Sequence, residues 1–194
     1  MSLWGATDSD ESKPKNLTTA EKKQVFANSS GWVLEAGSSL SGNDNTSATP
    51  EVLVAIGGLA TSIGAADVTE VEWITTAADK SAGFTLSVRV RYNEAVTVTG
   101  SPTLAVTNGN QGTGSGRGPH TLVYASGSGT NELVFSLAIA AANAATNADD
   151  VLVVGAQNIA LAGGTLKDTG TTTNSAVAIS AAQGTACGSI TVVA

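Results

Sequence analysis

Apolar residues fall at every second position from Phe84 to Tyr92: Phe84, Leu86, Val88, Val90 and Tyr92 share one face, and Thr85, Ser87, Arg89 and Arg91 share the other. A period of two predicts a half-buried strand with one wet face. The alternation returns at Val96 and Val98, at Leu122 and Tyr124, and at Leu133, Phe135, Leu137 and Ile139, with turn material such as Asn108-Gly109 and Ser126-Gly127-Ser128-Gly129 between them. Further short apolar segments lie at 151–154, 159–161, 177–179 and 190–193. Seven or more short strands at this spacing predict a sandwich. Residues 138–147 suit a helix by propensity and an irregular crossover between sheets equally well.

The pattern upstream is different. Thr18-Thr19-Ala20-Glu21 has capping-box spacing and is followed by Lys22, Lys23, Gln24, Val25 and Phe26, which predicts one short helix there. Residues 31–36 and 51–56 read as short strands, separated by a Gly/Ser/Asn/Asp/Thr stretch at 38–50 that is loop by composition. Residues 1–16 are polar and charged, with Pro14 between two lysines, and bury too little to fold alone. The expected fold is therefore mainly β: an extended arm at 1–16, a small anchoring subregion at 17–66 and a β-sandwich at 67–194. Residues 109–119 carry five glycines, too many for a packed element, so an exposed hairpin tip is expected there.

Composition narrows the function classes. The hydrophobic share is 42%, carried by Ala and Val, and aromatic residues make up only 4%, which suits a thin, strand-built core. A chain of 194 residues is long enough to bury roughly 70% of its unfolded surface. The net charge of −7 opposes direct nucleic-acid binding, which requires a concentrated basic surface. The N-terminus lacks a basic and then apolar leader, and no run approaches the roughly 20 apolar residues of a membrane helix, so a chain made in the cytosol with no membrane insertion is expected.

The stretch from Asn93 through Val96-Thr97-Val98-Thr99-Gly100-Ser101-Pro102 to Leu104, followed by Leu122 to Phe135 and by Leu161-Ala162-Gly163-Gly164-Thr165-Leu166-Lys167-Asp168, resembles the repeating Ig-like domains of bacterial surface proteins. Three blocks agree in order from about Val68 onward, and the resemblance implies an Ig-like sandwich serving adhesion or assembly. Leu3-Trp4-Gly5, Lys13-Pro14-Lys15, Gly31-Trp32-Val33-Leu34 and Glu51 to Leu59 resemble virion structural proteins of tailed phages that infect marine cyanobacteria. Such proteins pair a capsid- or neck-binding portion with an exposed Ig-like module. The bacterial domains occur in tandem behind a secretion signal, whereas this chain has one copy and no signal, which favours the virion.

Chemistry-bearing residues are sparse. His120 is the only histidine and Cys187 the only cysteine, which leaves little for a zinc site or a nucleophile with its base. His120 is expected on the surface, and Cys187 is expected to be a buried small hydrophobe. Asp149, Asp150 and Asp168 are oxygen donors of the kind calcium takes, but no EF-hand spacing occurs and solvated turn carboxylates are expected. The run Gly112 to Gly118 lacks the spacing of a phosphate-binding loop. Three glycosylation sequons, at Asn16, Asn28 and Asn45, are of the kind that arises by chance in such a composition.

Of the three tryptophans, Trp32 and Trp73 are expected in core positions. Trp4, in a polar arm with only Leu3 beside it, is expected to anchor a partner. The candidate partner-binding residues are thus Leu3, Trp4 and Pro14 in the arm and Gly114 and Arg117 in the glycine-rich loop. No catalytic residue, cofactor or metal is expected. The expected role is a non-enzymatic capsid decoration protein that binds the major capsid protein or other virion proteins through its N-terminal part, as a homo-oligomer with a trimer as the guess. A neck, tail or fibre component and an adhesive module for host-surface glycans are the alternatives.

Overall fold

The computed structural model describes residues 13, 14, 16–28, 30–55, 65–109, 119–141 and 146–194. The fold is mainly β. Its spine is a sixteen-residue strand, β6 (Phe84–Thr99). On one side β6 pairs with β9 (Thr130–Ile139), with a register slip between Arg91 and Val96; on the other it pairs first with β4 (Val68–Trp73) and then with β12 (Thr165–Asp168). The period-two pattern that broke after Tyr92 marks this slip within one continuous strand. Asn93, on the slip, is buried, and its Oδ1 accepts from the Asp67 amide at 2.8 Å.

From β9 the sheet continues through β8 (His120–Ser126), β7 (Thr103–Gly109), β10 (Val151–Val153) and β14 (Ser189–Val193) to β5 (Ala78–Asp79), which lies parallel to β14. Two further short strands, β11 (Gln157–Asn158) and β13 (Ala178–Ile179), pair with each other. The inward faces meet in one core. Leu86, Val88, Val90 and Tyr92 of β6 join Leu104 and Val106 of β7, Leu122 of β8, Leu133 and Phe135 of β9, Leu152 of β10, Leu166 of β12 and Val192 of β14. Strands from both ends of the sheet share this cluster, so the sheet curls around it. The β8–β9 turn holds Gly127 at φ +110, and a Cβ there would stand 1.8 Å from the Glu132 carbonyl oxygen.

The N-terminal part is a three-stranded antiparallel meander, β1 (Val25–Asn28), β2 (Gly31–Leu34) and β3 (Glu51–Ala55). The capping box at Thr18 and Glu21 forms, but the helix α1 (Thr19–Lys22) is a single turn. Val25 and Phe26 belong to β1, where both are buried, because their apolar side chains gain more from sheet packing than from one more turn of an isolated helix. Val25, Trp32 and Leu34 form a second small core, with Leu17 packed against it.

Residues 138–147 are settled only in part: β9 ends at Ile139, Ala140 and Ala141 leave the strand, and 142–145 lie outside the described residues. One element was not anticipated, the helix α2 (Ala181–Cys187). It opens on a capping box of its own, in which the Ser180 Oγ accepts from the Gln183 amide at 3.2 Å and the Gln183 Oε1 accepts from the Ser180 amide at 2.8 Å.

Candidate functional site: a buried charge cluster and the cleft beside it

The outer face of β6 is only partly wet: Thr85 is exposed and Arg89 half-buried. Arg91 is fully buried, with Phe26 and Glu35 of the N-terminal part against it, and Ser87 is nearly so, its hydroxyl 2.9 Å from that of Ser136. The register places Glu70 of β4 opposite Arg91 and Glu72 opposite Arg89, and Glu132 of β9 opposite Arg91 on the other side. Directly opposed charges on one face are within reach of each other. Arg91 accordingly lies 3.3 Å from Glu70, 2.9 Å from Glu72 and 3.1 Å from Glu132. Glu35, which follows β2, completes the cluster at 3.0 Å from Arg91 and with a short contact to Arg89. The Arg91 guanidinium also stacks over the Phe26 ring, 4.6 Å from its centroid.

Lys13 enters the same cluster. It is buried, its Nζ lies 3.5 Å from Glu70, and it donates to the Lys22 carbonyl at 2.8 Å. Four carboxylates, Glu35, Glu70, Glu72 and Glu132, thus face three cations, Lys13, Arg89 and Arg91. Burial opposes the charge on Arg91, but the carboxylates of Glu72, Glu132, Glu70 and Glu35 outweigh it and raise its pKa above the ordinary arginine value. Burial likewise works against Glu35, yet Arg91 and Arg89 hold it below the usual carboxylate range. For Glu72 the balance reverses: burial, with Glu70 and Glu35 nearby, outweighs the two arginines and holds it above that range.

Beside the cluster lies a cleft of about 800 Å³. Its floor is β4, its far wall is α2, and Gly188, Ser189 and Ile190 close one side. Cys187 lines it too. That thiol is only partly buried, packed against the main core, and burial with Glu72 and Glu70 close by pushes its pKa up to about 12. Trp73 is half-buried at the same cleft, donating from Nε1 to the Gly188 carbonyl at 3.4 Å, rather than enclosed in the core. Trp32 does occupy the core of the small sheet.

Of the expected partner-binding residues, Pro14 is the one among the described residues. Leu3, Trp4, Gly114 and Arg117 lie outside the described residues, and Pro14 is half-buried with its carbonyl accepting from the Leu17 amide at 3.3 Å. His120 is not on the surface. It opens β8 opposite Val106, its side chain turns to the same side as Leu122, and its Nε2 lies 3.1 Å from the Thr146 hydroxyl.

Nor are the aspartates mostly solvated. Asp150 is fully buried, with its carboxylate accepting from the Asn147 amide at 2.7 Å. Asp168 is buried and accepts from the Thr171 amide at 2.6 Å and its hydroxyl at 2.8 Å. Both close turns, and amide donors replace the water a carboxylate would otherwise hold. Asp149 alone is exposed, at φ +65. Among the described residues no group of three or more His, Cys, Asp or Glu is placed to hold a metal ion, and no helix is long and apolar enough to cross a membrane.

Sequence reasoning missed the charge cluster, although a signal was present. Glu70-x-Glu72 and Arg89-x-Arg91 have the same spacing of two on strands that pair, so each acid meets a base if the register is right. Comparison with known proteins adds no family: no family model matches the chain, and no curated protein or solved structure shows significant similarity to it.

Proposed function

We propose that this protein is a non-enzymatic assembly protein of a tailed-phage virion, a capsid decoration protein that grips the assembled head with its N-terminal part and holds an Ig-like sandwich outward. One observation carries the reading. In β3, Val52, Leu53 and Val54 are 45%, 40% and 42% exposed, three consecutive large apolar side chains on a strand whose one edge pairs with β2. Among the described residues no strand pairs with the other edge. Bare apolar edge strands invite association, and single-chain proteins ordinarily protect them with charge, proline or a covering segment. Among the described residues, Pro50 and Glu51 guard this one at its beginning.

The surface also has a stiff base. Glu35, on the chain that follows β2, is tied to Arg89 and Arg91 of β6, so load taken by the small sheet passes into the main sheet. Binding restricted to the assembled shell would stabilise it by mass action.

The test is binding of the purified protein to isolated heads depleted of it, comparing the full chain with Leu53→Lys, which puts a charge on the apolar strand, and with a chain lacking residues 1–15. Saturable binding weakened at least tenfold by Leu53→Lys supports the reading. Absence of binding by the unaltered chain overturns it.

A further inference from the structure

We propose that Lys80 and Asn147 join in an intramolecular isopeptide bond, a link the folded chain makes by itself, which ties the segment after β5 to the segment before β10 and locks the strand β14 between them. The inference goes beyond the virion reading and uses no part of the β3 surface.

The reacting pair is already in contact. The Lys80 Nζ donates to the Asn147 Oδ1 at 3.4 Å, across 67 positions of sequence. The Asn147 Cγ lies one carbonyl bond of ~1.2 Å beyond that oxygen, so the amine is within ~5 Å of the carbon it attacks. An amine and a carboxamide held at this range react at an effective concentration that no pair of free molecules reaches.

The backbone fixes this meeting. Both residues flank the same end of β14: the Lys80 amide donates to the Val193 carbonyl at 2.9 Å, the Asp149 amide to the Val192 carbonyl at 2.8 Å, and the Val192 amide to the Asp150 carbonyl at 2.9 Å. The turn after Lys80 is held by Asp79, whose Oδ1 accepts from the Ser81 amide at 2.8 Å and whose carbonyl accepts from the Gly83 amide at 3.0 Å. Asn147 opens a tight turn of its own. Its carbonyl accepts from the Asp150 amide at 3.2 Å, and its amide donates to the carboxylate of the fully buried Asp150 at 2.7 Å. Asp149, inside that turn, sits at φ +65, a left-handed conformation that costs residues other than glycine energy to hold. Lys80 and Asn147 are both half-buried.

The reaction balances without a further reactant. The Lys80 Nζ, as the free amine, adds its lone pair to the Asn147 Cγ. The Nζ–Cγ bond forms, the Cγ–Nδ2 bond breaks, and Nδ2 leaves as ammonia with the hydrogen that Nζ gives up; nothing is oxidised or reduced. Asp150 serves as a positioning residue, holding the asparagine that carries the electrophile. One event per chain is enough, since the ammonia escapes.

A bond here holds what little else does. β14 pairs over three residues with β10 and over two with β5, and Val193 is 54% exposed. With one cysteine in the chain, no internal disulfide can fasten it. The link closes a covalent ring around the segment that carries β6, β7, β8 and β9, and a closed ring restricts the unfolded chain as a disulfide does.

The experiment is intact-mass spectrometry of the purified full chain, incubated folded and then denatured, with tryptic mapping. The unaltered chain should weigh one ammonia less than its sequence, and digestion should release a single branched fragment that contains both Lys80 and Asn147. Lys80→Arg, which keeps the charge, and Asn147→Ala should each restore the sequence mass. Asp150→Ala should slow formation of the link in chains still folded by circular dichroism, and Asp150→Asn, which keeps an acceptor for the Asn147 amide, should recover the rate. The full sequence mass in the unaltered chain overturns the proposal. So does a loss of ammonia that persists in Lys80→Arg or maps to another asparagine, such as Asn108 before Gly109, where ring closure onto the backbone also sheds ammonia.

Discussion

Arg91 Nη2 lies 3.0 Å from Glu35 Oε2, and this one ion pair joins the middle of the long strand β6 to the chain that follows β2 of the small sheet. The residues are 56 positions apart, and the contact carries most of what the sequence pattern could not reveal about how the two sheets are fastened. An arginine in a strand interior is ordinarily assigned to the solvent face. Here that face is covered at Arg91, and the guanidinium can be buried only because its planar fork meets several carboxylates and an aromatic face together.

Replacing Arg91 by Met should therefore cost far more than a surface charge. Removing one side of a buried ion pair leaves the other uncompensated, typically at about 3–5 kcal/mol. Here four carboxylates would be left facing Arg89 and Lys13. The unfolding midpoint in urea should fall accordingly, and limited proteolysis should cut first in the loop at 38–50 as the small sheet loosens. Arg91→Lys keeps the charge but not the fork and should fall between the two. A midpoint unchanged in Arg91→Met would mean that the cluster does not fasten the sheets.

The strands and the cluster differ in how visible they are in the sequence. Phe84 to Tyr92 and Leu133 to Ile139 announce their strands because a buried face imposes a period of two that composition alone cannot hide. The single turn of α1 is legible through Thr18 and Glu21, and α2 was equally legible through Ser180 and Gln183 but was masked by the apolar residues on either side of it. The burial of Arg91, His120, Asp150 and Asp168 was not legible, since it depends on what lies across the fold: the small sheet for Arg91, Thr146 for His120, and turn amides for the aspartates. The cleft is a tertiary product of β4 and α2, more than a hundred residues apart, and no local pattern encodes it.

His120 should make the protein's stability depend on pH below the ordinary histidine value. Burial lowers its pKa below the ordinary value of 6.5, against the smaller opposing pull of Asp150. The folded state thus takes up the proton less readily than the unfolded one. Stability is full above the unfolded value and declines as pH falls through the window below 6.5. Glu72, whose pKa is raised, changes in the opposite sense as pH falls from above the usual carboxylate value down through it. Urea midpoints at pH 7.5 and 5.0 should differ for the unaltered chain and differ less for His120→Gln, which keeps a partner for the Thr146 hydroxyl. Equal slopes in the two proteins would show that His120 is not the group responsible.

Cys187 should be slow to alkylate in the folded protein. With a pKa pushed up to about 12, its thiolate fraction at pH 8 is roughly a thousandfold below that of a free thiol with a pKa near 8.5. Iodoacetamide labelling followed by mass should be slow at pH 8, accelerate steadily with pH, and become fast in urea. Rapid labelling at pH 8 under native conditions would contradict the environment that β4 and α2 give this residue.

Gly184 tests the packing of α2 against a clear opposing expectation. In an exposed helix, Gly→Ala stabilises by about 1 kcal/mol, because alanine restricts the unfolded chain and glycine does not. Gly184 is buried, however, and a Cβ built there would stand 2.5 Å from the carbonyl carbon of Gly155 and 2.8 Å from its Cα, both backbone atoms that cannot swing aside. Gly184→Ala must therefore push α2 away from the chain at Gly155, and the strain should outweigh the propensity gain. The unfolding midpoint should drop, and the Trp73 fluorescence should shift as Gly188, which caps α2 and accepts from the indole, moves with the helix. A rise in midpoint would mean that α2 sits far enough from Gly155 for helix propensity to decide the sign.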